Sequence, residues 1–346
     1  MAMKLDTNRV LIEASIRKAL RDMESAPERS CRNLIDLGLS FTKGRFQESF
    51  LRTAQEMLHH ENSAYYALIK DTAGAVNRDN LITFGINLGY HGCTKGARVI
   101  RAMEEQYGFN IPWSLSVELD VQILRARPGV YSEMLSQGVS LGIHTYQFYL
   151  EGSPLAALPL LQSQPECAFL LFLHGRQIDS AFLRELTGHP NVMVAVYDGD
   201  DMPAACKMLR DAGRLYGVYC PYGQAQQQEI LSGRWLEHIL PARPVFAFVR
   251  PQDGCPAPLE REIYAYVCSV RQAQRHPVFL MDLRQDVMAI DEVISEDVCL
   301  AEFALDGHLK THRGEYFGEE YNLFFSPLAD IFKGAMKKSD KKITGQ

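Results

Sequence analysis

Two stretches decide the fold: Cys167-Ala-Phe-Leu-Leu-Phe-Leu-His174 and, a helix-length further on, Val192-Met-Val-Ala-Val-Tyr-Asp198. Each is apolar without interruption until a polar residue at its end, which is how a strand reads when both its faces are covered. The same pattern recurs on either side, at Leu81–Tyr90, Ile111–Leu119, His144–Leu150, Leu215–Cys220, Val245–Arg250 and Val278–Leu283, with amphipathic stretches between the runs. Eight runs at this spacing predict an α/β chain whose parallel strands and crossover helices form a (β/α) TIM-type barrel, full or partial, with strand order following chain order.

Helix punctuation fits that rhythm. Ser132 to Leu141 stops at Gly142, Leu155 to Leu161 follows a Gly152-Ser153-Pro154 start, and Met202 to Leu209 stops before Gly213. Before the barrel, residues 1–80 read as a helical region, with amphipathic stretches at Val10–Met23, Cys31–Leu37, Phe46–Leu58 and Ser63–Ala75. Residues 81–283 make up the barrel. Residues 284–335 change rhythm and predict a small C-terminal subdomain, in which Cys299–Leu305 and His308–His312 are strands joined at the Asp306-Gly307 turn. Residues 336–346 form a lysine-rich segment of little apolar content, read as a disordered basic tail.

Composition narrows the function. The chain has 346 residues, 47% apolar content and a formal net charge of -6, so no general attraction to nucleic acid or anionic lipid is expected. No run approaches the roughly 18 apolar residues that span a bilayer. Met1 to Arg21 lacks the apolar core of a signal peptide, and a cytoplasmic location is expected. The eight cysteines are scattered with no C-x-x-C pair, which argues against a zinc ribbon or a redox motif, and no metal site is expected from spacing. H-E-x-x-H, G-x-S-x-G, G-x-G-x-x-G and a P-loop are all missing, which disfavours zinc proteolysis, esterase chemistry and nucleotide hydrolysis.

In such a barrel, chemistry belongs at the C-terminal strand ends. Those ends carry Asn87, Tyr90 and Cys93; Glu118 and Asp120; Tyr149 and Glu151; His174 and Arg176; Asp198, Asp200 and Asp201; Tyr219, Cys220 and Tyr222; Arg250; and Asp282 and Arg284. Asn87, Tyr90, Tyr149, Asp198, Tyr219, Arg250 and Asp282 are the candidate ligand-binding set, suited to a small polar molecule. His174 and Glu118 are the candidate acid and base, and Cys93, on a Gly-rich loop beside Lys95, is a candidate nucleophile. Plainer roles stand beside these: Asp198 as a helix cap, Arg250 and Asp282 as a structural ion pair, and Cys93 as a packing thiol.

Two places resemble a known family. The stretch Leu81 to Ala97 is similar to the first strand and cluster loop of the radical S-adenosylmethionine superfamily, in which a C-x-x-x-C-x-x-C motif ligates a four-iron cluster; only Cys93 stands there. Ile111-Pro-Trp-Ser-Leu-Ser-Val-Glu118 resembles the strand ending in that family's Gly-Gly-Glu motif, with Ser116 and Val117 in place of the glycines. Cys299 to Lys310 and Ser326-Pro-Leu-Ala-Asp-Ile-Phe resemble the SPASM or twitch extension, without its cysteine after the hairpin. The resemblance implies a degenerate relative that kept the barrel and lost the cluster, since such a cluster needs three thiolates. It implies no resident cofactor, with S-adenosylmethionine the one candidate ligand of the family. On that reading the chain is non-catalytic and binds a small molecule or peptide at the barrel mouth, as a partner of a peptide-modifying enzyme. The alternative is a barrel enzyme acting on a small polar substrate through His174, Glu118 and Cys93.

Overall fold

The computed structural model describes residues 7–23, 26–41, 52, 55, 56, 60 and 62–338. One sheet organises them. Seven parallel strands lie side by side in chain order: β1 (Ser114–Asp120), β2 (Thr145–Glu151), β3 (Ala168–Leu173), β4 (Val192–Tyr197), β5 (Tyr216–Tyr222), β6 (Phe246–Pro251) and β7 (Phe279–Asp282). β8 (Ala301–Phe303) then returns to the free side of β1 and pairs with it in parallel. β9 (Leu309–Thr311) and β10 (Gly314–Tyr316) continue the sheet antiparallel beyond it. The ten strands form one open, curled, mostly parallel half-barrel whose end strands are β7 and β10.

Side-chain alternation sorts two cores. Phe169, Leu171 and Leu173 of β3 join the larger core under the outer helices, whereas Ala168, Leu170 and Phe172 join a second cluster with Met193, Ala195, Tyr219 and Phe248. The second cluster lies on the concave face, because Arg250 on β6, which shares the side of Phe248, reaches Glu302 on β8 at 3.3 Å, and only curvature brings those strands together. Burying an aromatic such as Phe172 inside this curve contributes about 2–3 kcal/mol. Helices start and stop where local chemistry dictates. Asp120 caps Val121–Ala126, Asp179 caps Ser180–Leu186, and Gly142 at φ +99° ends Pro128–Leu141.

Seven of the eight expected strands form within a few residues of their predicted places. Leu81–Tyr90 does not. It lies in the helix Arg78–Ile86 and the π-helical run Asn87–Gly96 that follows. Asn77 caps that helix by accepting from the Asp79 amide, and Phe84 and Leu88 pack into the concave cluster, so the segment fills the curve where a strand was expected to extend it. Cys93 consequently sits in a helix and not in a cluster loop. The eighth strand comes instead from Ala301–Phe303, and its hairpin with β9 follows the Asp306-Gly307 reading.

The stretch expected to be a C-terminal subdomain thus supplies strands to the main sheet. Of the tail expected at 336–346, Met336 is buried and Lys337 bridges Phe109, and residues from 339 onward lie outside the described residues. Most of the Phe46–Leu58 stretch also lies outside them. Among the described residues no helix is long and apolar enough to cross a membrane.

Candidate functional site

The concave face changes character across the sheet. On β8, β1 and β2 it presents Glu302, Ser116, Glu118, Gln147 and Tyr149, whereas β3 to β7 present mainly Leu170, Phe172, Met193, Phe248 and Met281. Register places Glu302 beside Ser116, and Glu118 beside Tyr149. Curvature then brings Arg250 onto this polar half. Its guanidinium lies 4.1 Å from the centre of the Tyr149 ring and 3.3 Å from the Glu302 carboxylate. Arg284 approaches Glu302 at 3.7 Å, and Lys310 on β9 bonds Asp253 at 2.7 Å.

Together Glu118, Tyr149, Arg250, Glu302 and Lys310 line a tight cleft at the C-terminal ends of β1 and β2, closed down so far that it has no room for a water molecule. The roomier hollow beside Glu28, Arg29 and Arg32 is lined, among the described residues, by the helix Pro27–Phe41 and its leading turn alone.

Charge in the cleft follows from burial and pairing. Burial works against the Arg250 cation, but Tyr149, Glu302 and Glu118 outweigh it and hold the guanidinium above its ordinary range. Burial pushes the Tyr149 phenol up to about 12, with Arg250 pulling the other way, so the ring is neutral. Half-buried Glu118 has no hydrogen bond or ion pair among the described residues; it feels Arg250 and Lys310 only at longer range.

The other candidates are placed elsewhere. His174 is exposed just past β3, its ring 4.7 Å from that of Tyr197, and its amide donates to Gln177. Asp198 accepts from the Trp235 indole at 2.8 Å and lies 3.4 Å from His238, which ties the end of β4 to the helix Arg234–Ile239. Tyr219 packs edge-on against Phe172 within the concave cluster. Asn87 is buried and donates to the carbonyls of Pro165 and Cys167, below β3. Tyr90 is half-buried against His91. Cys93 packs into the main core, and burial pushes its thiol up to about 12, which removes the expected thiolate. Its helix abuts the N-terminal ends of β2 and β3, the opposite end of the sheet from Glu118 and His174, so the three candidate catalytic groups do not meet.

Asp282 is fully buried. It accepts from the Tyr222 hydroxyl at 2.8 Å and from the Arg284 and Gln285 amides at the head of the helix Leu283–Ser295, and it does not pair with Arg250. Burial raises its carboxyl to about 6 against those hydrogen bonds. Folding therefore takes up a proton between the unfolded value near 4 and the native value, and the group's contribution to stability falls as pH rises through that window. Relative to Asp282→Asn, the wild type is expected to lose up to about 3 kcal/mol between about pH 4 and 6 and then level off. Parallel melting profiles for the two proteins across that range would refute the assignment.

A four-iron cluster does not fit these residues. Among the described residues, the side chains that bring three metal-capable atoms within 4.8 Å of one another are His91, His144 and Glu166, with no thiol among them. Sequence reading missed Glu302 and Lys310, which enter the mouth only because a C-terminal hairpin returns to β1. The signal available was the Asp306-Gly307 turn with an acidic residue before it and a basic one after. His91, His144 and Glu166 follow no metal-binding spacing and become neighbours only through the fold.

No family model matches the chain, and no curated protein does. Among solved structures it is similar to Streptococcus suis SuiB bound to S-adenosylmethionine, at 10% identity and a TM-score of 0.47, over 69% of this chain and 68% of that one.

Proposed function

We propose that the chain is a radical-SAM-like half-barrel that works without an iron–sulfur cluster, as a binding protein for a small molecule or peptide end carrying an ammonium and a carboxylate. The observation that carries this reading is the unpaired Glu118 carboxylate, half-buried beside Arg250, Tyr149 and Lys310 at the C-terminal ends of the strands. Glu118 is placed to accept an ammonium. Lys310, released from Asp253, is placed to take the carboxylate, and Tyr149 with Arg250 makes a flat wall for an apolar portion.

S-adenosylmethionine, an amino acid with a sulfonium cation, carries the groups these side chains would pair with, as does a peptide presenting the same groups, and either enters only once the Lys310–Asp253 pair opens to widen the cleft. The separation of His174, Glu118 and Cys93 favours binding over acid–base or nucleophilic catalysis. A protein partner that modifies peptides, and a cytoplasmic setting, complete the proposal.

Calorimetric titration with S-adenosylmethionine, free amino acids and short peptides tests it. One of these is expected to bind, and Glu118→Gln is expected to weaken it by about tenfold or more, the loss of one charge-assisted contact, with little change in melting temperature. Binding that is unchanged in Glu118→Gln, or no binding by any of the three classes, would remove the site from consideration.

A further inference from the structure

At the N-terminal end of the sheet, away from the cleft, three side chains from three elements converge. His91 comes from the π-helical run Asn87–Gly96, His144 immediately precedes β2, and Glu166 stands two residues before β3. His91 is 1% exposed, and among the described residues neither of its ring nitrogens has a hydrogen-bond partner. Its Nδ1 lies 3.5 Å from Glu166 Oε2, and its ring stacks on that of His144 with centroids 5.8 Å apart. A fully buried imidazole that makes no hydrogen bond among the described residues and has only a carboxylate 3.5 Å from one nitrogen is a feature folds ordinarily avoid unless something else occupies the space.

His144 is oriented as a ligand is. Its Nδ1 lies 3.0 Å from the Gly142 carbonyl and donates to it, which leaves Nε2 with the lone pair; a backbone carbonyl commonly fixes a metal-binding imidazole in this way. Gly96 lets the His144 ring lie close against the π-helical run, since a Cβ there would stand 3.1 Å from His144 Nδ1. The run that carries His91 is π-helical, a rare conformation that is frequent at functional sites.

We infer that His91, His144 and Glu166 form a binding site for a divalent transition-metal ion, with two imidazoles and one carboxylate as protein ligands and a fourth position left for water. Their donor atoms lie within 4.8 Å of one another, and in a tetrahedral zinc site they stand about 3.4 Å apart, so a small closing movement completes the set. Two cations compete for the carboxylate: Lys95 at 3.1 Å and Arg9 at 3.7 Å from Glu166. Both Lys95 and Glu166 are roughly half exposed, which gives an ion its way in from solvent.

The test uses untagged full-length protein stripped with a chelator and titrated with Zn²⁺ by calorimetry, with metal content measured independently. One ion per chain is expected, with a rise in melting temperature of about 5 °C at ~100-fold excess over Kd. Glu166→Gln, at the half-exposed ligand, keeps the fold and is expected to weaken binding by at least about tenfold, the penalty even for a supporting residue. His144→Ala is expected to lose the bound ion, whereas Cys93→Ser, on the helix of His91, keeps it. Lys95→Met is expected to tighten binding by removing a competitor. A stripped protein that takes up no Zn²⁺, or equal affinity and stoichiometry in Glu166→Gln and His144→Ala, overturns the site.

Discussion

Gly96→Ala is expected to cost about 4 kcal/mol or more, a large share of the roughly 5–15 kcal/mol that holds a domain together. A Cβ at this position would stand 2.4 Å from the Gly142 carbonyl oxygen and 2.6 Å from that of His91. Both obstacles are backbone, so neither can rotate away. Gly142 itself adopts φ +99°, and its own Cβ would meet the Gly96 oxygen at 2.6 Å, so the two glycines face one another across a contact that excludes side chains from both partners. A fall in melting temperature on the order of 10 °C is expected by thermal denaturation. A variant melting within ~2 °C of wild type would show that the π-helical run can retreat from the β2 entrance.

The second large effect concerns the mouth. Arg250→Met leaves Glu302, whose side chain is only 7% exposed, with Arg284 at 3.7 Å as its remaining cation, and strips the guanidinium from the Tyr149 ring. Removing one partner of a buried pair costs about 3–5 kcal/mol, because the other charge stays behind in a poorly solvating place. Arg284 reduces that to about 3 kcal/mol here. The double variant Arg250→Met with Glu302→Leu is expected to recover most of the loss, since an apolar pair of similar volume has no charge to strand. Urea unfolding of the four proteins in the cycle measures the coupling. A double variant no more stable than Arg250→Met alone would mean that Glu302 is not the stranded charge.

Sequence periodicity located β1 to β7: β3 and β4, covered by apolar groups on both faces, read as unbroken apolar runs, whereas β1 and β2, whose concave face is polar, showed through the alternation of Leu115, Val117 and Leu119 and of Tyr146, Phe148 and Leu150. The same logic misplaced Leu81–Tyr90. Along that helix Asn80, Ile82, Phe84 and Ile86 are all buried, an alternation that mimics a strand, because the helix lies inside the curve of the sheet and touches protein around much of its circumference. Its Asn77 cap and Asp79 were legible helix signals, outweighed by Ile, Thr and Phe.

Strand-end position alone singled out Glu118, Tyr149 and Arg250, which the fold brings together at one cleft. Asp198 and Asp282 occupy equivalent positions yet serve a tryptophan, a histidine, a tyrosine and a helix start, and nothing in the local sequence tells a carboxylate that caps from one that waits. Glu302, Lys310, His91, His144 and Glu166 depend on contacts between distant segments, to which a linear reading is blind.

The sheet has ends, and the gap between β6 and the β8–β9 hairpin is spanned at its mouth by Arg250–Glu302, Arg284–Glu302 and Lys310–Asp253. In mechanical terms the ring has one soft joint among stiff ones. Backbone ladders along β1 to β7 are nearly indifferent to dissolved ions, whereas the stiffness of this joint is electrostatic and weakens as screening grows, most of all at Asp253, which is 68% exposed. The bore of the half-barrel and the ionic strength around it are thereby linked, and a charged visitor that exchanges one of these contacts acts locally as salt acts throughout.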